Sequence, residues 1–148
     1  MTSEPSDVDV RVQIMTLCDV ANERDRLISV LSGGVTRIQR PSFPAPLKAD
    51  LAILLDLPAH ASVFDISMRL ELKNVRTGKE IAPSLHMQAE DDGELDNVDE
   101  TTTRITFPAL VGMQEMVIPE SGTFSIELLL GERVLSKIEL DAVVKEQI

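Results

Sequence analysis

The chain has 148 residues, 43% of them hydrophobic and 26% charged, which places it among folded single-domain proteins rather than disordered or multidomain ones. Its formal charge of -11 opposes binding to a phosphate backbone or an anionic membrane. The surplus lies in the second half, where residues 75–148 hold 6 Lys/Arg against 15 Asp/Glu, while residues 1–74 hold 8 against 10.

Four Phe with no Trp or Tyr require an aliphatic core. They leave little from which to build the aromatic platforms of carbohydrate or single-stranded nucleic-acid sites. One cysteine, Cys18, excludes an internal disulfide, and no apolar run approaches the length of a membrane span. The first residues, Met-Thr-Ser-Glu-Pro-Ser-Asp, lack the basic and apolar regions of a secretory signal, so the expected compartment is the cytoplasm.

Residues 1–7 read as a tail, 8–143 as one domain and 144–148 as a second tail. Val8, Val10, Val12 and Ile14 alternate with Asp9, Arg11 and Gln13, the period of a strand with one wet face. Residues 17–32 admit two readings. Leu17, Val20, Ala21, Leu27, Ile28 and Leu31 fit a helical stripe capped by Thr16 and stopped at Gly33. Equally, Asn22-Glu-Arg-Asp25 turns the chain into a strand from Arg26 to Leu31, with Gly33-Gly34 as a bulge before Val35–Ile38.

Pro41-Ser-Phe-Pro-Ala-Pro46 predicts an extended connection, since its three prolines donate no ladder hydrogen bonds. Leu51-Ala-Ile-Leu-Leu-Asp-Leu57 is apolar on both faces, so this strand is central or covered from outside the sheet. Phe64, Ile66, Met68, Leu70 and Leu72 mark an amphipathic strand that turns at Asn74–Gly78. Ile81, Pro83, Leu85, Met87 and Ala89 return it, with Pro83 suggesting an edge. Thr101–Phe107 is β-branched and strand-like, and Ala109–Ile118 is a weaker candidate.

The closing stretch is the clearest. Phe124, Ile126, Leu128 and Leu130 alternate, Gly131-Glu132 suits a two-residue turn, and Val134, Ser136, Ile138 and Leu140 return. Pro119-Glu-Ser-Gly-Thr-Phe124 is comparable with the corner before the sixth strand of immunoglobulin-like domains, with Phe124 in the place of the usual tyrosine and hence no phenolic hydrogen bond. The expected fold is all-β: an antiparallel, immunoglobulin-like β-sandwich of about eight strands.

Leu17-Cys-Asp-Val-Ala-Asn22, Arg26–Ile38, Pro41-Ser-Phe-Pro44 and the closing hairpin together resemble a bacterial family of small single-domain proteins classed as a domain of unknown function. The resemblance implies a β-sandwich and the strand reading of residues 26–38. It implies no catalytic or binding residue.

Candidate chemistry is sparse. Cys18 and His86 form the one thiol–imidazole pair to weigh, but Cys18 closes an apolar strand and reads as a structural thiol. His60 and His86 read as surface residues, and no zinc spacing occurs. Glu90–Glu100 holds seven carboxylates in eleven residues, with Asp91, Asp92 and Asp96 as candidate calcium ligands, yet lacks the Asp-x-Asp-x-Asp-Gly loop pattern. Gly33-Gly34 lacks the Lys-Ser/Thr or third glycine of a phosphate loop. Arg24, Arg26, Arg37, Arg40 and Lys48 fall in one stretch and read as scattered, solvated charges.

The expected function is a non-enzymatic interaction module without cofactor, pairing with itself or another protein through surplus leucines, with Leu51, Leu54 and Leu129 as interface candidates. The alternatives are a calcium-responsive module using residues 90–100 and, third, a small enzyme.

Overall fold

The computed structural model describes residues 9–25, 27–58, 67–88 and 104–145, and among these every regular element is a strand. In chain order they are β1 (Arg11–Cys18), β2 (Val20–Arg24), β3 (Leu27–Leu31), β4 (Arg37–Arg40), β5 (Ala45–Pro46), β6 (Asp50–Pro58), β7 (Ser67–Asn74), β8 (Leu85–Gln88), β9 (Arg104–Val111), β10 (Val117–Ile118), β11 (Gly122–Leu130) and β12 (Arg133–Val144). The helical reading of residues 17–32 is therefore replaced by a β-hairpin. Arg24 pairs with Leu27, so its turn lies two residues later than Asn22–Asp25 suggested, and Asp25 takes the positive φ of 53° that a tight hairpin needs.

Eight strands form the two main sheets. One is three-stranded in the order β1-β6-β9, the other five-stranded in the order β4-β12-β11-β7-β8, and β2-β3 and β5-β10 are small ribbons. All pairings in the main sheets are antiparallel except β4 beside β12. That exception defines the architecture. The first long strand of the sandwich is split, so that β1 pairs with β6 in one sheet and β4 pairs in parallel with the last strand in the other, with the β2-β3 hairpin inserted between the halves. This is the immunoglobulin-like arrangement in which the chain's first edge strand switches sheets.

Leu51, Ile53, Leu55 and Leu57 on β6 point inward and meet Leu70, Leu72, Phe124, Ile126, Leu128 and Leu140 of the facing sheet, all buried in one core. Burial of each such side chain contributes roughly 1.5–3 kcal/mol. The β11-β12 hairpin closes as its sequence predicts: Leu130 pairs with Arg133, and Gly131 supplies φ +61° at the first turn position. Pro83 lies just before β8 rather than within it, and β8 is the edge strand expected there. Phe64 and Ile66 lie outside the described residues.

At the corner before β11, side chains from elsewhere replace the missing phenol. Asn74 Nδ2 donates to Glu120 Oε1 at 3.2 Å, and Asn74 Oδ1 accepts from the backbone N–H groups of Arg76 at 2.9 Å and Thr77 at 3.2 Å. The Val75 N–H donates to the Thr123 carbonyl at 2.9 Å. Gly122 takes φ +145°, a conformation that a side chain would strain. Buried Asn74 thus joins two turns through both the oxygen and the nitrogen of its amide.

Candidate interaction surface

Strand periodicity sorts the three-stranded sheet into an inner face in the core and an outer face. On the outer face the register aligns three rows: Thr16–Ala52–Leu110, Ile14–Leu54–Pro108 and Arg11–Asp56–Thr106. The middle of this face is apolar. Ile14 is 39% exposed and Leu110 38%, while Leu54 and Pro108 between them are half-buried. Pro108 fits here because β9 is an edge strand, where a missing N–H breaks no ladder.

Ile14 reaches this face through a β-bulge. The pairing shifts between Val12 and Ile14, so Gln13 is the extra residue and Ile14 leaves the phase of Val10 and Val12. The simple alternation of Val8 to Ile14 is corrected accordingly: Val10 is buried, and Ile14 lies on the outside.

One end of the apolar patch is closed by an ion cluster. Arg104 donates from Nε to Asp56 Oδ1 at 2.7 Å and from Nη2 to the Asp56 carbonyl at 3.0 Å. It also donates from Nη1 to Asp9 Oδ2 at 3.1 Å and from Nη2 to the Asp9 carbonyl at 2.8 Å. Arg11 adds a bond from Nη2 to Asp9 Oδ2 at 2.8 Å. The hydrogen bond from Arg11, aided by the charges of Arg11 and Arg104, holds the Asp9 carboxyl below the ordinary aspartate range. The guanidinium of Arg104 therefore ties β9 to β6 and to the residue leading into β1. Four of its five N–H groups are spent on structure.

Toward the other end stands the β2-β3 hairpin, which packs against β6 and β9. Its link to β4 is anchored by the Gly34 N–H donating to Thr16 Oγ1 at 2.7 Å, in the same row as fully buried Ala52. The hairpin leaves Leu27 69% and Leu31 64% exposed. Apolar side chains at such exposure on two neighbouring elements are typical of surfaces that meet a partner.

The interface candidates divide. Leu54 lies in the exposed patch. Leu51 is buried in the inter-sheet core and Leu129 is only 6% exposed, so neither presents a surface. Leu129 is buried although it faces away from the core, between Arg69 and Val134 in register, beside the bulge that follows Leu128. Charged side chains stand beside it on that outer face, with Glu71 gripped by Arg69 at 2.9 Å and Lys73 at 2.8 Å.

Among the described residues, the candidate thiol and imidazole are not brought together. Cys18 is buried and its thiol donates to the Asp50 carbonyl at 3.4 Å; burial, and then the nearby Asp50 and Asp19 carboxylates, push its pKa up. His86 is exposed on β8, in the other sheet. Asp91, Asp92, Asp96 and His60 lie outside the described residues, among which no cluster of three or more His, Cys, Asp or Glu side chains occurs. A cleft of about 600 Å³ runs beside Asn74, Arg76, Glu120 and Ser121, but its polar groups include those that build the corner. Ile14, Pro108, Leu110 and the Arg104 cluster escaped the sequence reading because a bulge and partners 48 and 95 residues away place them.

Comparison with curated proteins finds no match. Among solved structures, the chain is similar to an immunoglobulin-like protein from Pseudomonas aeruginosa, at 12% identity over 93% of this chain and 98% of that one, with a TM-score of 0.45. Residues 13–143, from the β1 bulge to the penultimate residue of β12, match a described family throughout, and the chain belongs to that family of unknown function, DUF6941.

Proposed function

We propose that the chain is a non-enzymatic protein-interaction module, at work in the cytoplasm, that pairs with a second copy of itself through the outer face of the β1-β6-β9 sheet. The observation that carries this reading is the row Ile14–Leu54–Pro108 with Leu110 beside it, apolar and accessible in a chain of formal charge -11. Such net charge resists random clumping and tolerates one specific hydrophobic contact. The free edges of β1 and β9 among the described residues favour the same conclusion, because an uncovered apolar edge strand aggregates unless a partner covers it. Binding to nucleic acid or an anionic membrane is disfavoured by the charge, and the single free, buried cysteine suits a reducing compartment.

Light scattering at about 100 μM in about 300 mM salt, where weak charge-based contacts are screened, tests the proposal: a dimer mass is expected for the parent and a monomer mass for Leu54→Glu, because pairing would desolvate the new carboxylate without a partner. The Leu54→Glu protein should retain its circular dichroism spectrum. A monomeric parent refutes self-association, and an unfolded Leu54→Glu assigns Leu54 to the core.

A further inference from the structure

The basic residues that look scattered in sequence are partly gathered by the fold. Arg37 and Arg40 on β4 and Lys48, between β5 and β6, line one cleft of about 370 Å³ together with Gln39, Val35 and Asp19. Arg40 is fixed in place without being neutralised. It donates from Nε to the Pro46 carbonyl at 3.2 Å, from Nη1 to the Gln39 carbonyl at 2.8 Å and from Nη2 to the Leu47 carbonyl at 2.8 Å. Three of the five N–H groups of a guanidinium are used in this way, and two remain. Arg37 and Lys48 are exposed and, among the described residues, have no carboxylate within ion-pair distance. The backbone of Lys48 is pinned at φ +56°, with its N–H donating to the Gln114 carbonyl at 2.9 Å. Asp19 is the one counter-charge in the lining, so three cations face one anion in a protein that is otherwise strongly acidic.

We propose that this cleft binds an acidic peptide segment, and that the segment is Glu90–Glu100 of a second copy. A short peptide meets only the cleft, whereas a nucleic acid runs on past the acidic remainder of the surface and is repelled by it. The chain supplies a matching ligand in its seven carboxylates within eleven residues. Its own copy is badly placed to deliver it. Gln88 pairs with Ser67 and Arg104 pairs with Pro58, so residues 89–103 leave and rejoin the sandwich at the far end of β6 from Lys48 and Ala49. The nine residues of β6 span about 30 Å. An out-and-back excursion of residues 89–103 reaches about 29 Å at full extension, so the same copy could bring only the tip of the acidic run, and not the run itself, to the cleft. A neighbouring copy has no such limit. The resulting contact joins unlike ends, head to tail, and is separate from the face-to-face pairing through Leu54.

The test is fluorescence anisotropy of a labelled synthetic peptide of residues 90–100 titrated with the full chain. Expected are saturable binding at tens of micromolar in about 20 mM salt, at least about tenfold weakening in about 300 mM salt, and no binding by the peptide with every Asp and Glu replaced by Asn and Gln. Arg37→Glu with Lys48→Glu, both exposed positions, should reduce affinity at least about tenfold while leaving the melting temperature within about two degrees. The milder Lys48→Ala should reduce it about threefold. Leu54→Glu should bind the peptide as the parent does, which separates this contact from the apolar one. Absence of saturable binding, binding insensitive to the Arg37 and Lys48 changes, or tighter binding of inorganic phosphate or a single-stranded oligonucleotide than of the peptide would each overturn the proposal.

Discussion

Replacing Arg104 with Ala should destabilise the fold by about 2 kcal/mol, a figure set by one side of its ion cluster. The Arg104 and Asp56 side chains are 24% and 16% exposed, and the guanidinium gives Asp56 two hydrogen bonds, to the carboxylate and the carbonyl. A hydrogen bond to a charged group contributes about 1.5–3 kcal/mol when shielded, and partial exposure places this pair at the lower end. The bonds to Asp9 lie in solvent and add little. Without Arg104 the Asp56 carboxylate keeps its burial and loses its partner, which is the costly half of the change. For a chain of this size about 2 kcal/mol corresponds to a fall in melting temperature of roughly 4–8 °C. Thermal melts of the parent, Arg104→Ala, Asp56→Asn and the double variant complete a cycle in which the two changes should be clearly non-additive, with Arg104→Lys intermediate because it loses the planar fork. If Arg104→Ala melts within about one degree of the parent, or the two changes simply add, the cluster is a surface ornament and the account of how β9 is held is wrong.

The buried Cys18 thiol, with its pKa raised by desolvation, should resist a disulfide reagent at pH 8 in the folded protein and react within minutes in urea; fast reaction in the native state would contradict its placement. The hydrogen bond from Lys73 holds the Glu71 carboxyl below the ordinary glutamate value of 4.5, and the same bond raises Lys73 above 10.5. Stability from this pair is accordingly complete between those two values. It is lost as pH falls below 4.5 through the depressed carboxyl pKa, and as pH rises beyond 10.5 through the raised ammonium pKa. Urea titrations between pH 7 and 3 should show a shallower acid decline for Glu71→Gln than for the parent, and parallel declines would refute the assignment.

Legibility in the sequence tracks how local the cause is. The all-β class, the β11-β12 hairpin with Gly131 at its turn, and the structural role of Cys18 follow from side-chain alternation and turn chemistry within a few residues, so the sequence by itself determined them. What covers the second face of β6 did not follow, because Leu54 and Ala52 have the same local pattern as core residues. Their different exposures depend on the β2-β3 hairpin and on strands far away in the chain. Only the tertiary structure decided that Gln13 is the bulged residue, that Leu129 is covered, that the first edge strand divides between the sheets, and that Arg37, Arg40 and Lys48 share a cleft. Each of these is a matter of register or of pairing across tens of residues. A one-residue shift there exchanges inside for outside while leaving the local hydrophobic pattern unchanged.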